Sequence, residues 1–377
     1  MVRELLSSGC LEVALGRCLR LRHRKANCRL CLQTCPYGAI RFDEGPRIDL
    51  SLCSACGICA SVCPNGVFGL RDLSQESILT SIRQKGDVDD VEFICSSLPP
   101  ERDGSRVPCL GYLDDATLVG IVASDGRAVR LIAGQCKSCR HVQGIGVASK
   151  TVKSANKILA VFGLSKKISI ATEQSGDCCT ARQDRGYSRR EFFSYLGTTA
   201  RTRLTADKAN NDFQRETKGF TFTYGLPKRR SILLEQIKKL GPPVIDQVDA
   251  DDLPFAEVQI GKDCNGCNMC VTFCPTGALR SVSTEDNQVI DFSLRDCLAC
   301  GLCSEVCPQE TVSYTTGIDT DFLADNSRRI LVEHRMAVCA SCGQTYVAVS
   351  GSDLCLNCRK RKEIVGRLVR VWQQSQT

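Results

Sequence analysis

Residues 264–275 read Cys264-Asn-Gly-Cys267-Asn-Met-Cys270-Val-Thr-Phe-Cys274-Pro275, and this spacing of four cysteines before a proline decides the fold. The same spacing returns in Cys297-x2-Cys300-x2-Cys303-x3-Cys307-Pro308 and, nearer the N-terminus, in Cys53-x2-Cys56-x2-Cys59-x3-Cys63-Pro64. A shortened form, Cys28-x2-Cys31-x3-Cys35-Pro36, precedes that last run and has Lys25 at the position of its first cysteine. The chain therefore carries two modules of one type, each with two cysteine runs.

The spacing within these runs suits four-iron clusters, because three thiolates two residues apart can surround one cubane of iron and sulfide. The fourth cysteine ligates the neighbouring cluster, and the proline after it suits a bend into a helix. A structural zinc site is the alternative, which eight cysteines in this double pattern disfavour. We predict two [4Fe–4S] clusters in the second module: cluster 3 on Cys264, Cys267, Cys270 and Cys307, and cluster 4 on Cys274, Cys297, Cys300 and Cys303.

Both modules resemble the two-cluster bacterial-type ferredoxin family, over about residues 18–70 and 258–315. The resemblance implies two ferredoxin-like folds of βαβ type that carry low-potential clusters. In the first module the intact run supplies one complete ligand set. We predict that this set holds cluster 2 on Cys35, Cys53, Cys56 and Cys59.

Cluster 1 of the first module lacks its usual first ligand. The three cysteines left for it are Cys28, Cys31 and Cys63. Lys25 cannot complete the set, because its amine is protonated. Cys18 is the nearest further cysteine, and we predict that it is the fourth ligand; Cys10 is the next candidate, and a three-iron cluster or no cluster is the alternative. The basic run from Arg17 to Lys25 would offset cluster charge, form a solvated helix face or dock an acidic partner.

Four more cysteines lie between the modules, in Phe93-Ile-Cys95, Arg106-Val-Pro-Cys109-Leu-Gly and Gly134-Gln-Cys136-Lys-Ser-Cys139-Arg-His141. This segment resembles the iron–sulfur delta subunit of methyl-viologen-reducing hydrogenase, which works beside heterodisulfide reductase. The resemblance implies a [2Fe–2S] cluster on Cys95, Cys109, Cys136 and Cys139. The segment departs from that family at Ser96–Leu98, where a second cysteine usually follows the first. A retained fold that has lost the cluster, or a zinc ion, is the alternative.

Apolar patterning predicts the secondary structure of this central segment. Leu118–Val122 and Val129–Ile132 predict strands, and Val152–Phe162 has the 3.6-residue spacing of a helix. A second helix is predicted over Lys228–Leu240, which Gly241 and two prolines end.

The last four cysteines stand in Cys339-x2-Cys342-x12-Cys355-x2-Cys358, which is the spacing of a zinc ribbon. Gly343 fits a tight knuckle turn. A single iron, as in rubredoxin, is the alternative, and zinc suits so short a loop better. With four thiolates and no adjacent base, we predict a structural or docking role for the zinc.

Composition excludes several classes of protein. The 377 residues are 43% hydrophobic and 24% charged, which rules out wholesale disorder. The 27 cysteines and an N-terminus without a secretory apolar core predict a cytoplasmic protein, and no apolar stretch is long enough for a membrane span. The formal charge of +7 counts every cysteine as neutral. The predicted clusters and zinc would add about −12 and leave about −5, so nucleic acid is not an expected partner.

We predict an α+β multidomain protein with two ferredoxin-like modules, a central small α/β domain and a C-terminal zinc ribbon. The predicted boundaries are residues 1–75 for the first module, 88–172 for the central domain, 173–255 for a linker with short helices, 256–320 for the second module and 330–377 for the ribbon with its basic tail. Cys178 and Cys179, in the linker, are expected to be free thiols, and a vicinal disulfide between them is the alternative.

The functional expectation is a non-catalytic electron-transfer protein or subunit with four [4Fe–4S] clusters, a [2Fe–2S] cluster and a zinc ion. Gly144-Ile-Gly146 is too short for a dinucleotide loop, and no nucleophile–base arrangement or small-molecule substrate site is evident. The central resemblance implies a redox-enzyme partner of hydrogenase, formate dehydrogenase or heterodisulfide-reductase type, in anaerobic metabolism. A cluster-based sensor that binds nucleic acid and an iron–sulfur assembly factor are the alternatives.

Overall fold

The computed structural model describes residues 11–70, 73–84, 90–99, 104–164, 167–172, 221–348 and 352–374. The predictions on Cys10, on Cys178 and Cys179, and on residues 173–220 of the linker lie outside the described residues.

The first module consists of two antiparallel strand pairs and three short helices. Its elements are β1 (Leu11–Val13), α1 (Leu19–Arg22), α2 (Leu30–Thr34), β2 (Ile40–Phe42), β3 (Pro46–Ile48), α3 (Ile58–Val62) and β4 (Phe68–Leu70). β1 pairs with β4, and β2 pairs with β3. The small core joins Ile40, Ile48, Val67 and Phe68 to cysteine side chains. Because so few apolar residues are buried, metal binding would contribute much of the stability.

The central domain is a four-stranded parallel sheet covered by helices. Its elements are α4 (Gln75–Gln84), β5 (Asp90–Cys95), β6 (Ser105–Val107), α5 (Asp115–Asp125), β7 (Ala128–Ala133), α6 (Gln143–Val161) and β8 (Ile168–Thr172). The strand order is β6-β5-β7-β8, with every neighbour parallel. The carboxyl ends of β5 and β7 therefore meet at one edge of the sheet, which brings Cys95 and Cys136 to the same edge.

α5 occupies a stretch for which the sequence predicted a strand. Leu118–Val122 lies inside this helix, whereas Val129–Ile132 lies in β7 as predicted. The side chain of Asp114 caps the helix by accepting a hydrogen bond from the N–H of Thr117 at 2.8 Å. α5 carries apolar residues around its whole circumference because it is buried among other elements. Its sequence therefore lacks the periodicity of a helix that has one exposed face. α6 also begins earlier than predicted, at Gln143.

The described part of the predicted linker, residues 221–255, belongs to the folded body. It contains α7 (Lys228–Lys239) and β9 (Gln247–Asp249). α7 packs on α5 and buries Leu233 and Ile237. The guanidinium of Arg229 holds this contact with ion pairs to Asp115 at 2.9 Å and Asp114 at 3.8 Å. The helix predicted over Lys228–Leu240 is therefore a cover for the central domain rather than part of a spacer.

The second module repeats the strand pairing of the first. Its elements are β10 (Val258–Ile260), α8 (Met269–Thr272), β11 (Leu279–Ser283), β12 (Asn287–Phe292), α9 (Leu302–Val306) and β13 (Val312–Tyr314). β10 pairs with β13 and β11 pairs with β12, all antiparallel. β14 (Gly317–Asp319) then pairs with β9, and α10 (Asp321–Ala324) follows. One apolar core runs from the central domain into this module.

The C-terminal segment is attached to the second module through a sheet. β15 (Arg329–Val338) pairs with β12 and with β16 (Thr345–Val347), which gives the four-stranded order β11-β12-β15-β16. α11 (Leu356–Gln374) ends the described chain. None of the helices in the described ranges combines the length and the apolar character needed to cross a bilayer.

Candidate metal centres

The runs Cys53–Cys63 of the first module and Cys297–Cys307 of the second module have the same backbone geometry. The residues before and after the second cysteine of the run are left-handed in both, with φ of 53° at Ala55, 76° at Gly57, 50° at Ala299 and 79° at Gly301. Left-handed residues within a turn point successive N–H groups inward and form a nest for anions. The N–H of Ala55 donates to the sulfur of Cys53, and the N–H of Ala299 donates to the sulfur of Cys297. The loops are thus shaped to stabilise thiolates.

A cavity lies inside each of these loops, one in the first module and one in the second. The thiols that line them are those of Cys35, Cys53, Cys56 and Cys59, and those of Cys274, Cys297, Cys300 and Cys303. Burial raises the pKa of Cys53 to about 11 and that of Cys297 to about 12. Such thiols stay protonated at neutral pH unless a metal replaces the proton, so both cavities fit the predicted clusters 2 and 4.

The cysteines predicted for cluster 3 also lie together. Burial and, after it, the nearby thiols of Cys303, Cys264, Cys267 and Cys307 together raise the pKa of Cys270 to about 12. Cys307 differs: burial raises its pKa, but hydrogen bonds from the Thr311 hydroxyl and from backbone N–H groups outweigh burial and lower it. The donor set is suited to one buried cluster with an edge toward solvent, because Cys267 is exposed.

The cluster 3 loop also contacts the C-terminal segment. Gly266 is left-handed, with φ of 65°, and a Cβ there would lie 2.6 Å from the side chain of Val347 in β16. It would also lie 2.8 Å from Oε1 of Gln288 in β12. Only glycine fits this close approach, so the four-stranded sheet covers the cluster 3 loop.

The structure places Cys18 with the three cysteines left for cluster 1. Cys18 precedes α1, and its pKa is raised by burial and lowered by the N–H groups of Arg20 and Leu21. Its electrostatic neighbours are Cys63 and Cys28. Burial and, after it, the thiols of Cys63, Cys28 and Cys18 together raise the pKa of Cys31 to about 12.

The missing first ligand coincides with a changed loop. In the second module Asn268, after the second cysteine, is left-handed with φ of 59°. The equivalent Arg29 has φ of −131° and ψ of 12°, and Lys25 is exposed. The tight turn that would present a cysteine at position 25 is therefore absent from the loop, and Cys18 approaches from a different element.

The central cysteines gather at the carboxyl edge of the parallel sheet. The pKa of Cys109 is raised to about 12, chiefly by burial and also by the thiols of Cys95, Cys56 and Cys139, against the opposing effect of the Gly111 N–H. Cys136 lies one 3₁₀ turn before Cys139, and the N–H of Cys139 donates to the carbonyl of Cys136 at 3.3 Å. The Oγ of Ser97 lies 3.1 Å from the sulfur of Cys95. The donor set fits a small cluster or a single metal ion.

His141 joins the central site to the first module. Its Nε2 lies 3.0 Å from the Oγ of Ser54, and its ring meets the ring of Tyr37 edge-on at 5.6 Å between centroids. Burial lowers the pKa of His141, and the charge of Arg140 lowers it further. The sequence carried no signal for this contact, because Ser54 and His141 are 87 positions apart.

The C-terminal cysteines form the tightest ligand set in the described part of the chain. The thiols of Cys339, Cys342, Cys355 and Cys358 all lie within 4.8 Å of one another. The N–H of Cys355 donates to the sulfur of Cys339 at 3.2 Å and lowers the pKa of that thiol. Gly343 is left-handed, with φ of 70°, as a knuckle turn requires. The geometry fits one tetrahedral metal ion.

Within each module the two cluster sites are neighbours. Cys270 of cluster 3 and Cys303 of cluster 4 interact electrostatically, as do Cys31 of cluster 1 and Cys59 of cluster 2. Such neighbouring sites are expected where the fourth cysteine of each run ligates the other cluster, and that crossed assignment stays a prediction.

The two modules contact each other near the cluster 1 and cluster 4 sites. Leu19 of α1 and Leu302 of α9 share an apolar cluster, against which Cys28 and Cys300 pack. The N–H of Asn27 donates to Glu305 at 3.2 Å, and the His23 ring lies 4.7 Å from that of Phe273. The cluster 1 and cluster 4 sites are therefore adjacent.

The cluster 2 site adjoins the central site in the same way. Cys56 and Cys109 belong to one buried cluster with Ile58, and the Tyr112 ring would meet a Cβ at Gly57 at 2.3 Å. The sites thus follow one order: cluster 3, cluster 4, cluster 1, cluster 2, central site.

Two stretches of the chain match the 4Fe-4S dicluster domain family, residues 256–314 and residues 26–76. The chain is also similar to the ferredoxin-type protein NapF of Haemophilus influenzae, with 38% identity over 64 residues. That alignment covers 15% of this chain and 35% of the relative, so the chain spans about a third of the length of NapF.

These matches confirm the prediction of two dicluster modules, which together imply four [4Fe–4S] clusters. The assignment of individual cysteines to each cluster stays a prediction, as do the central [2Fe–2S] cluster and the identity of the C-terminal metal. The mixed α/β architecture has a parallel central sheet between the two dicluster domains.

Proposed function

We propose that this chain is an electron relay in which four [4Fe–4S] clusters and a central [2Fe–2S] cluster form one series. The observation that carries the proposal is the unbroken adjacency of the five cysteine sites, from cluster 3 to the central site. When bound, the clusters supply one-electron carriers at short separations. The protein binds them, excludes water from the gaps between them and holds their order.

The gaps between modules are filled in a way that suits electron transfer. Leu19 and Leu302 are 4% and 1% exposed, and Ile58 is fully buried. Dry, rigid packing keeps neighbouring clusters at fixed separations and limits reorganisation of solvent when charge moves. A protein that delivers its clusters to an acceptor would instead need them accessible, so this burial supports a relay over an assembly factor.

The central site is the proposed terminus that exchanges electrons with a partner. Its resemblance to the delta subunit of methyl-viologen-reducing hydrogenase supports a [2Fe–2S] cluster on Cys95, Cys109, Cys136 and Cys139. We infer a redox-enzyme partner of hydrogenase, formate dehydrogenase or heterodisulfide-reductase type. Cys136, Cys139 and His141 are half-buried, which would give a partner access to this end of the series. The C-terminal site is proposed to hold zinc and to support the cluster 3 loop through β16.

Metal content and reductive titration of anaerobically purified protein test the proposal. About eighteen irons with matching sulfide and one zinc per chain, with low-potential EPR signals from cubane and two-iron centres, are expected. About eight irons would mean that one module alone is loaded and would contradict the relay. About sixteen irons, with no two-iron signal, would remove the central site from the series while leaving the cubanes.

A further inference from the structure

Two arginines are buried beside the cluster 4 site. Arg22 of α1 is 4% exposed and Arg230 of α7 is 5% exposed. Among the described residues, Nε and Nη1 of Arg22 and Nη1 of Arg230 have no hydrogen-bond partner. Leaving a charged donor buried and unpaired is costly, so these N–H groups require an acceptor at the place they occupy.

Arg22 is fixed between the modules by its other contacts. Its Nη2 donates to the carbonyls of Gly16 and Thr223, and its guanidinium carbon lies 4.6 Å from the centre of the Tyr224 ring. The next residue along, Gly225, donates its N–H to the carbonyl of Pro275 at 2.9 Å, directly after Cys274. This places Arg22 against the cluster 4 loop; burial lowers its pKa, whereas Tyr224 and the thiols of Cys274 and Cys300 raise it.

Arg230, in α7, lies near the same site. Its Nη2 donates to the carbonyl of Pro254, and its guanidinium carbon lies 4.0 Å above the Phe255 ring. The thiol of Cys297 is among its electrostatic neighbours. Burial lowers the pKa of Arg230, whereas the charges of Asp115 and Cys297 raise it. An arginine guanidinium stays charged at neutral pH in proteins.

We propose that Arg22 and Arg230 donate hydrogen bonds to cluster 4 and make it the cubane of highest reduction potential in the chain. When a one-electron donor reduces the cluster, one negative charge is added to it. Two fixed cations in a low-dielectric setting stabilise that added charge, and donors to cluster sulfur act in the same direction. This inference rests on the proposed function, because it names the cluster of the relay that is reduced most readily.

A third buried arginine provides a contrast. Arg229 has Cys63 of cluster 1 among its electrostatic neighbours, but its charge is offset by the carboxylates of Asp115 at 2.9 Å and Asp114 at 3.8 Å. Asp115 and Asp296 are also electrostatic neighbours of Arg230, but among the described residues neither Arg22 nor Arg230 forms an ion pair. Arg229 is therefore expected to stabilise a reduced cluster 1 less than Arg22 and Arg230 stabilise a reduced cluster 4.

EPR-monitored potentiometric titration of the full-length holoprotein tests the inference. Arg22→Gln and Arg230→Gln are each expected to lower the midpoint of the highest-potential cubane. At a fixed potential, the ratio of reduced to oxidised cluster should fall at least tenfold, which is about 59 mV for one electron. Arg24→Gln is the matched control: it removes the same charge from an exposed position two residues further along, and the midpoint should stay unchanged.

Unchanged midpoints in both glutamine variants with full iron content would overturn the inference. If a glutamine variant loses iron, Cys303→Ala decides: loss of the highest-potential signal supports the inference, and its persistence overturns it. A wild-type protein without reducible cubanes would instead contradict the proposed function, so the two failures are distinguishable.

Discussion

At the residue scale, the two modules differ at one ligand position. Lys25 stands where the first run of the second module has Cys264, and the loop around it has lost its left-handed turn. Cys18 lies beside Cys28, Cys31 and Cys63 because α1 brings it there from seven residues upstream of Lys25. Backbone N–H groups at the start of α1 stabilise its thiolate, as the nests do at the other sites.

Cys18→Ser is expected to remove or convert cluster 1, because a serine hydroxyl is a poorer iron ligand than a thiolate. Iron content should fall by about one per chain for a three-iron product or about four for full loss. Iron analysis and EPR of the oxidised protein measure the two products separately. Cys10→Ser serves as the control and should match the wild type. Identical spectra for Cys18→Ser and wild type would show that Cys18 is not a ligand.

At the element scale, the start of α6 is packed against two sites at once. Gly144 lies in its first turn, and a Cβ there would lie 2.3 Å from the sulfur of Cys109 and 3.4 Å from Cδ1 of Ile58. Gly146, on the same turn, has no atom within 4 Å of such a Cβ. The helix therefore touches the junction of the cluster 2 and central sites with one glycine and faces open space with the other.

Gly144→Ala is expected to displace the Cys109 thiol and so to lose the central two-iron centre while the four cubanes stay. The measured result would be about two fewer irons per chain and loss of the two-iron EPR signal. Gly146→Ala is the matched control, with unchanged iron and a helix more stable by up to about 1 kcal/mol. Full iron content in both variants would place Cys109 outside the ligand set.

At the scale of the whole molecule, the two modules and the central domain fix the order of the sites. The modules meet at Leu19 and Leu302, and the first module meets the central domain at Cys56, Ile58 and Cys109. In the proposed series, the cluster 1 site therefore joins the second module to the cluster 2 site.

The double variant Cys28→Ala/Cys31→Ala is expected to separate the series into two groups. In the fully reduced wild type, each cluster should show magnetic interaction with its neighbours in the EPR spectrum. The variant should retain the interaction between clusters 3 and 4 but lose every interaction that involves cluster 1. A matched double variant, Cys264→Ala/Cys267→Ala, removes the end of the series and should leave the interaction between clusters 1 and 2 intact. The reverse pattern would contradict the order given above.

The sequence alone predicted the cysteine modules because a cluster demands thiolates at fixed short spacings. Local spacing likewise predicted the C-terminal ligand set, whose four sulfurs converge as expected. It did not predict α5, whose apolar run lacks periodicity because its whole circumference is buried. Nor did it predict that α7 covers the central domain, since a helical pattern does not specify what its apolar face meets.

From the sequence alone follow the two dicluster modules and the C-terminal four-cysteine set, because these cysteines recur at short fixed spacings along the chain. Only the tertiary structure shows which cysteine sites adjoin, and that Arg22 and Arg230 are buried near Cys274 and Cys297 respectively. These contacts join residues as far apart as Arg22 and Thr223, 201 positions along the chain. Their physical basis is the burial of shared apolar surface between modules, which no local pattern encodes.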